Sequence, residues 1–74
     1  SLSIEVIDLY AIQKGYLDDV PVYKVQKVVR EMEEDARTTQ PELLAAIEAE
    51  KALTDTIDEQ LKQFMTAFKS RMTK

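Results

Sequence analysis

The stretch GYLDDVPV, residues 15–22, lies between two apolar segments and holds the only glycine of the chain and one of its two prolines. Gly15 favours the left-handed backbone conformation that ends many helices. Pro21 favours the first turn of a helix, because backbone N–H groups in that turn have no partner within the helix and proline lacks this group. The stretch therefore predicts a joint between two helices, and the segments on either side of it decide the fold.

The segment before the joint predicts a first helix over about residues 3–14. Ser3 is placed to cap it, and Ile4, Ile7 and Ala11 follow one another at helical spacing. Apolar residues are too dense here for a single stripe, so we expect this helix to be buried on most of its circumference. The same density also fits a strand, but the cap, the spacing and Gly15 favour a helix.

Two further helices are predicted after the joint, over about residues 21–39 and 41–50. Pro41 marks the start of the second of these two, and Leu43, Leu44 and Ile47 give it an apolar side. The longer one has apolar residues at steps of three and four, namely Val22, Val25, Val29, Met32 and Ala36. Both patterns are typical of helices with one face in a core.

The last predicted helix, about residues 54–72, has the most regular apolar face. Thr54 is placed to cap its first free N–H groups. The face is made of Leu53, Ile57, Leu61, Phe64, Met65, Phe68 and Met72. Such a face normally packs into a core, but a free-standing module could also use Phe64, Phe68 and Met72 to bind a partner helix.

Together the segments predict an all-α protein: a small bundle of three to four helices in one domain, residues 1–74. A chain of this size buries only roughly 60% of the surface that its unfolded form exposes. The core is therefore marginal in size, and we expect a neighbouring domain or partner to contribute to its stability.

Composition excludes several kinds of site. The chain has no cysteine and no histidine, which removes disulfides, the usual zinc ligands and thiol or imidazole nucleophiles. Its net charge of −4 argues against nucleic acid as a partner. No apolar run approaches the roughly 20 residues that cross a bilayer, and no signal peptide is evident, so we expect a soluble chain without direct membrane insertion.

Five polar or aromatic residues near the joint are candidates for a site. Asp18 and Asp19 do not follow the spacing of a calcium loop, so we interpret them as turn and capping groups, with Asp19 accepting N–H groups that open the second helix. Tyr10, Tyr16 and Tyr23 are expected to cover a core edge with their hydroxyls at the water boundary. We predict no catalytic, cofactor-binding or metal-binding residue, since a lone glycine builds no phosphate loop.

The run SLSIEVIDLYAIQKGYLDDVPVYKV, residues 1–25, resembles the C-terminal region of the alpha subunit of F-type ATP synthases. GYLDDVPV after LYA is the most specific part of the resemblance. Further on, QPELLAAI and LTD, residues 40–47 and 53–55, look like the family's H-P-E-L/I-L-x-x-I and L-S-D segments. Ile12 and Lys51 stand where the family usually has glycine, and Gln40 where histidine is common. Lys51 must therefore adopt a left-handed conformation at about 1 kcal/mol or more, or let the third helix run on.

The resemblance implies a structural, non-catalytic role. The chain would be the terminal part of a larger helical domain in the ring of alternating alpha and beta subunits around the rotor of a two-sector, proton-transporting ATP synthase. Implied partners are the neighbouring beta subunits, the rotor shaft subunit and the rest of the alpha subunit. ATP and Mg²⁺ would bind elsewhere in the parent subunit. The implied location is a peripheral complex on the cytoplasmic face of the bacterial cell membrane, or the mitochondrial or plastid equivalent.

Overall fold

The chain folds as a bundle of helices around one core. The structure, a computed structural model, describes residues 1–72. Within this range it has α1 (Leu2–Gln13), α2 (Val25–Thr39), α3 (Pro41–Glu50) and α4 (Asp55–Met72), with a short 3-10 helix (Val22–Lys24) leading into α2. No strand occurs in residues 1–72, so the predicted all-α bundle is confirmed and the strand alternative for the first segment is wrong.

The joint between α1 and α2 begins with a left-handed glycine, as predicted. Gly15 has φ 79°. The Gly15 N–H donates to the Ile12 carbonyl at 3.2 Å, and the Tyr16 N–H reaches back to the Ala11 carbonyl at 2.9 Å. These two bonds form a Schellman motif, which satisfies carbonyls that the end of α1 would otherwise leave unpaired. A Cβ at Gly15 would lie 2.9 Å from Asp18 Oδ2, so a side chain would meet both backbone strain and crowding.

The α-helical part of the second segment begins at Val25, four residues later than the pattern suggested. Pro21 has an extended backbone, φ −56° and ψ 141°, and the 3-10 turn follows it. Because of this turn, Val22 is directed into solvent and is 91% exposed. Val22 is therefore not part of the apolar face, contrary to our expectation, and the buried side of α2 starts at Val28.

All four helices contribute to the core. Its largest completely buried side chains are Ile7 from α1, Met32 from α2, Ile47 from α3, and Leu61 and Met65 from α4. Phe64 and Phe68 are also buried, with stacked rings whose centroids lie 6.3 Å apart. The apolar face of α4 is thus core, so the alternative that Phe64, Phe68 and Met72 form a free docking face does not hold.

Two of the predicted helix caps are wrong and one is confirmed. The Thr54 hydroxyl accepts the Ile57 N–H at 3.2 Å, as expected for the start of α4. Ser3 instead lies inside α1, and its N–H donates to the Glu48 carboxylate of α3 at 2.8 Å. This bond lowers the pKa of Glu48. Asp19 caps neither the 3-10 helix nor α2, because its carboxylate binds a lysine of α4.

The end of α3 shows how the chain accommodates Lys51, where the family that the sequence resembles usually has glycine. Lys51 adopts the left-handed conformation, φ 54° and ψ 26°, and its N–H donates to the Ile47 carbonyl at 2.9 Å. The helix therefore ends at Glu50 and does not run on. A residue with a Cβ is strained in this region by roughly 1–2 kcal/mol.

Lys51→Gly should therefore stabilise the chain. We expect its free energy of unfolding to rise by about 1 kcal/mol, because glycine adopts a positive φ without the Cβ clash. Urea unfolding followed by circular dichroism measures the change. Glu50→Gly is the matched control: it lies in the last helical turn, where glycine should cost about 1 kcal/mol. A loss of stability in Lys51→Gly would contradict this account of the α3 end.

Candidate interaction surface

The outer side of α1 is apolar and exposed. Leu2, Leu9 and Ile12, here called the α1 stripe, are 40%, 56% and 59% exposed. The opposite side of the helix, around Ile7 and Ala11, is completely buried. The prediction that α1 is buried on most of its circumference is thus wrong for residues 1–72, because no other helix in this range covers the stripe. Exposed apolar side chains that cluster on one side of a helix are typical of a place where another protein surface packs.

A groove runs beside the α1 stripe. It has a volume of about 200 Å³ and lies between α1 and the connection that precedes α4. Leu2, Val6 and Leu9 line one wall, and Leu53, itself 51% exposed, lines the other. Leu53 therefore does not continue the buried face of α4, as the sequence pattern suggested, but extends the apolar surface of α1.

Acidic side chains whose charge is only partly neutralised lie on the side of α1 that faces α2. Asp8 Oδ1 is buried and accepts no hydrogen bond within residues 1–72. Burial, the hydrogen bond with Glu33 and the negative charge of Glu33 together raise the pKa of Asp8 to about 7, against the opposing effect of the positive charge of Arg37. Sequence reasoning missed this pair. The signal was a single acid inside an otherwise apolar turn of α1, but only the fold shows that Glu33 faces it.

The two aspartates of the joint lie away from Asp8, and they make different contacts. Asp19 forms an ion pair with Lys69 of α4, and this ammonium lowers the pKa of Asp19. Lys69 Nζ also donates to the Tyr16 carbonyl at 2.7 Å. The Asp18 side chain is exposed, and its backbone N–H bonds the Gly15 carbonyl at 3.2 Å, so its predicted place in the turn is confirmed. The joint is thus tied to α4 by Lys69.

The three tyrosines divide between core and solvent. Tyr10 is buried, and its hydroxyl donates to the Asp58 carbonyl at 3.4 Å. Tyr16 stacks on Tyr10 with ring centroids 6.1 Å apart, as expected of rings at a core edge. Tyr23 is 81% exposed beside the 3-10 turn, so the expectation that it covers the core is wrong.

Residues 1–72 contain neither a cluster of metal-ligating side chains nor a membrane-spanning helix. No cluster of three or more acidic, histidine or cysteine side chains there could hold a metal ion. None of the helices in the same range has the length and the apolar character needed to cross a membrane. The main surface feature that the described structure offers is therefore the α1 stripe with its groove and its acidic edge.

Comparisons with known proteins show the family to which the chain belongs. The model of the family described as "ATP synthase alpha/beta chain, C terminal domain" matches residues 1–68, so the chain belongs to this family and the resemblance seen in the sequence is confirmed. The chain is 31% identical over 67 residues to "ATP synthase subunit alpha" of Aquifex aeolicus, strain VF5, and 32% identical over 65 residues to "ATP synthase subunit alpha" of Lawsonia intracellularis, strain PHE/MN1-00.

These matches cover most of this chain but a small part of each relative. The aligned regions span 90% and 88% of the chain and 13% of the length of each alpha subunit. No solved structure gives a significant match. What the chain shares with these subunits is thus a small part of their length.

The raised pKa of Asp8 makes the stability of the chain depend on pH. The folded state holds the Asp8 proton more tightly than the unfolded state, whose pKa is near 3.8. The stabilisation from this group is therefore complete below about pH 4 and is lost as the pH rises through about 7. Asp8→Asn should raise the free energy of unfolding at pH 8 by about 1–3 kcal/mol, with a gain that shrinks toward pH 4.

Urea unfolding of both proteins between these pH values tests this expectation. Glu31→Gln is the matched control, because Glu31 is an exposed acid of the same helix as Glu33 and its removal changes the net charge equally. A gain that does not vary with pH, or an equal gain in Glu31→Gln, would contradict the assignment to the Asp8 environment.

Proposed function

We propose that the chain is a structural, non-catalytic part of an ATP synthase alpha subunit, within the ring of the catalytic sector that surrounds the rotor. The observation that carries this proposal is the match to alpha subunits over nine-tenths of the chain. The helical bundle supports it, because its core is formed by packing and apolar side chains of α1 remain exposed at its surface. ATP and Mg²⁺ bind elsewhere in the parent subunit in this proposal.

The contacts that hold the helices together support the proposed mechanical role. Both ends of α1 are held by side chains of other helices: Glu48 of α3 accepts the Ser3 N–H, and Lys69 of α4 binds the Tyr16 carbonyl. A bundle packed like this deforms little under load. In the ring it would act as fixed material, so that rotation of the shaft changes the nucleotide sites and is not absorbed by the subunit end, in ATP synthesis coupled to proton transport.

The proposed partners are the rest of the alpha subunit, the neighbouring beta subunits and the rotor shaft subunit. In this proposal the rest of the alpha subunit covers the α1 stripe, which is supported by the exposure of its apolar side chains. Burying Leu9 and Ile12 from their present exposure would supply about 25 cal/mol per Å² of apolar surface removed from water. The proposed location is a peripheral complex on the cytoplasmic face of the bacterial membrane, or its mitochondrial or plastid equivalent.

A hybrid subunit tests the proposal. The segment of the Aquifex aeolicus alpha subunit that matches this chain is replaced by residues 1–74, and the hybrid is produced with the remaining subunits of that enzyme. We expect a ring that assembles and supports ATP synthesis in membrane vesicles. A ring that assembles and works equally well when the segment is deleted altogether would contradict a structural role.

The α1 stripe provides the internal control of the same experiment. Leu9→Gln with Ile12→Gln should change the unfolding free energy of the isolated chain by less than about 0.5 kcal/mol, since both side chains are exposed in it. In the hybrid the same pair of substitutions should reduce the yield of assembled ring. Val22→Gln, a substitution of equal type at an exposed site outside the stripe, is the matched comparison. Normal assembly of the stripe variant would show that the stripe is not buried in the subunit.

A further inference from the structure

The α1 stripe and the acidic residues of α1 form one composite surface. Residues three and four apart are neighbours on a helix. Ile12 therefore lies beside both Asp8 and Leu9, and Leu9 lies beside Glu5. Glu5 is exposed between Leu9 and Ile12, and Asp8 is partly exposed on the other side of Ile12, so a surface that packs on Leu9 and Ile12 meets a carboxylate at its edge and another between the two. Any occupant of the stripe has to match that edge in charge.

The carboxylates of the acidic edge are only partly neutralised by positively charged side chains in residues 1–72. Asp8 Oδ1 is buried without a hydrogen-bond donor in residues 1–72, and Glu33 of α2 brings a second carboxyl group to the same place. Arg37 acts on Asp8, but its Nη1 atom also lies 3.7 Å from Glu34 Oε2, and its side chain is 51% exposed. A buried carboxylate oxygen without a hydrogen-bond donor is costly unless a cation or donor reaches it.

We propose that the α1 stripe is the docking site of an amphipathic helix that carries apolar side chains onto Leu9 and Ile12 and a lysine or arginine onto the Asp8–Glu33 pair. This inference rests on the proposed function, because the helix belongs to the parent alpha subunit. A helix fits the groove because its apolar residues at three- and four-residue steps form a ridge that lies along α1. A basic flank fits because opposite charge at an interface favours the correct partner and register.

A second copy of the chain fits this surface poorly. Two copies that met through α1 would bring Glu5, Asp8 and Glu33 of both chains into one interface. Like charges placed this close oppose association. The geometry therefore points to a basic partner and away from a homodimer.

Two synthetic peptides of equal length test the proposal on the 74-residue chain. Both have leucines at helical spacing on one face; one carries lysines beside the leucines, and the other carries glutamates there. We expect the basic peptide to bind at least about tenfold more tightly than the acidic one, as measured by fluorescence anisotropy of labelled peptide at pH 7.5. Equal affinities, or preference for the acidic peptide, would overturn the proposal.

Variants separate the docking site from general attraction to an acidic protein. Asp8→Asn and Glu33→Gln should each reduce the preference to about twofold, whereas Glu31→Gln, with the same charge change on another side of α2, should leave it intact. Leu9→Gln should weaken both peptides. Equal effects of all three charge variants would overturn the proposal, and so would sedimentation showing a dimer that Leu9→Gln dissociates. The hybrid subunit can assemble when this binding fails, so the two proposals fail separately.

Discussion

The bundle depends on how α1 is held at its two ends. At one end the Schellman motif at Gly15 stops the helix, and Lys69 of α4 fastens the turn through the Tyr16 carbonyl and Asp19. At the other end Glu48 of α3 accepts the Ser3 N–H, which has no partner within the helix. Because both attachments involve backbone groups, α1 is restricted in rotation about its own axis.

That restriction determines what the rest of the surface is like. With α1 fixed in this orientation, Ile7 and Ala11 are completely buried in the bundle, and Leu9 and Ile12 are left outside it. The glycine with a positive φ thus ends α1, the fixed orientation of α1 follows, and this orientation leaves an apolar surface that another protein segment has to cover. The same orientation brings Asp8 against Glu33, so the acidic edge of that surface is a consequence of the packing as well.

Much of this arrangement could be predicted from the sequence, because it depends on patterns among residues that are close together in the chain. The helical spacing of Ile57, Leu61 and Phe64, the cap at Thr54 and the glycine at the end of α1 are properties of neighbouring residues. The sequence also identified the family, through GYLDDVPV, before any structural comparison. The family pattern left two outcomes open at Lys51, a left-handed conformation or a third helix that does not stop there, and the structure has the first.

The errors share one physical cause. Apolar periodicity shows that a residue favours burial, but not which surface covers it. Val22 and Leu53 were assigned to the faces of their helices, yet the turns before α2 and α4 leave them exposed. The dense apolar content of α1 was interpreted as burial inside this chain, whereas within residues 1–72 only half of the helix is covered. Ser3 and Asp19 are predicted from the sequence to cap nearby helix ends. In the structure Glu48 binds the Ser3 N–H and Lys69 binds the Asp19 carboxylate. Both partners are distant in the sequence, so no local pattern indicates them.

The reactivity of one introduced thiol tests most directly whether the α1 stripe is buried in a larger assembly. The chain has no cysteine, so Ile12→Cys provides a single thiol on the stripe. Its rate of modification by a water-soluble maleimide is compared between the isolated chain and an otherwise cysteine-free hybrid alpha subunit in an assembled ring. The account predicts ready modification in the chain and a rate lower by about tenfold or more in the ring, since modification requires exposure of the thiolate. Equal rates in the two states would contradict it.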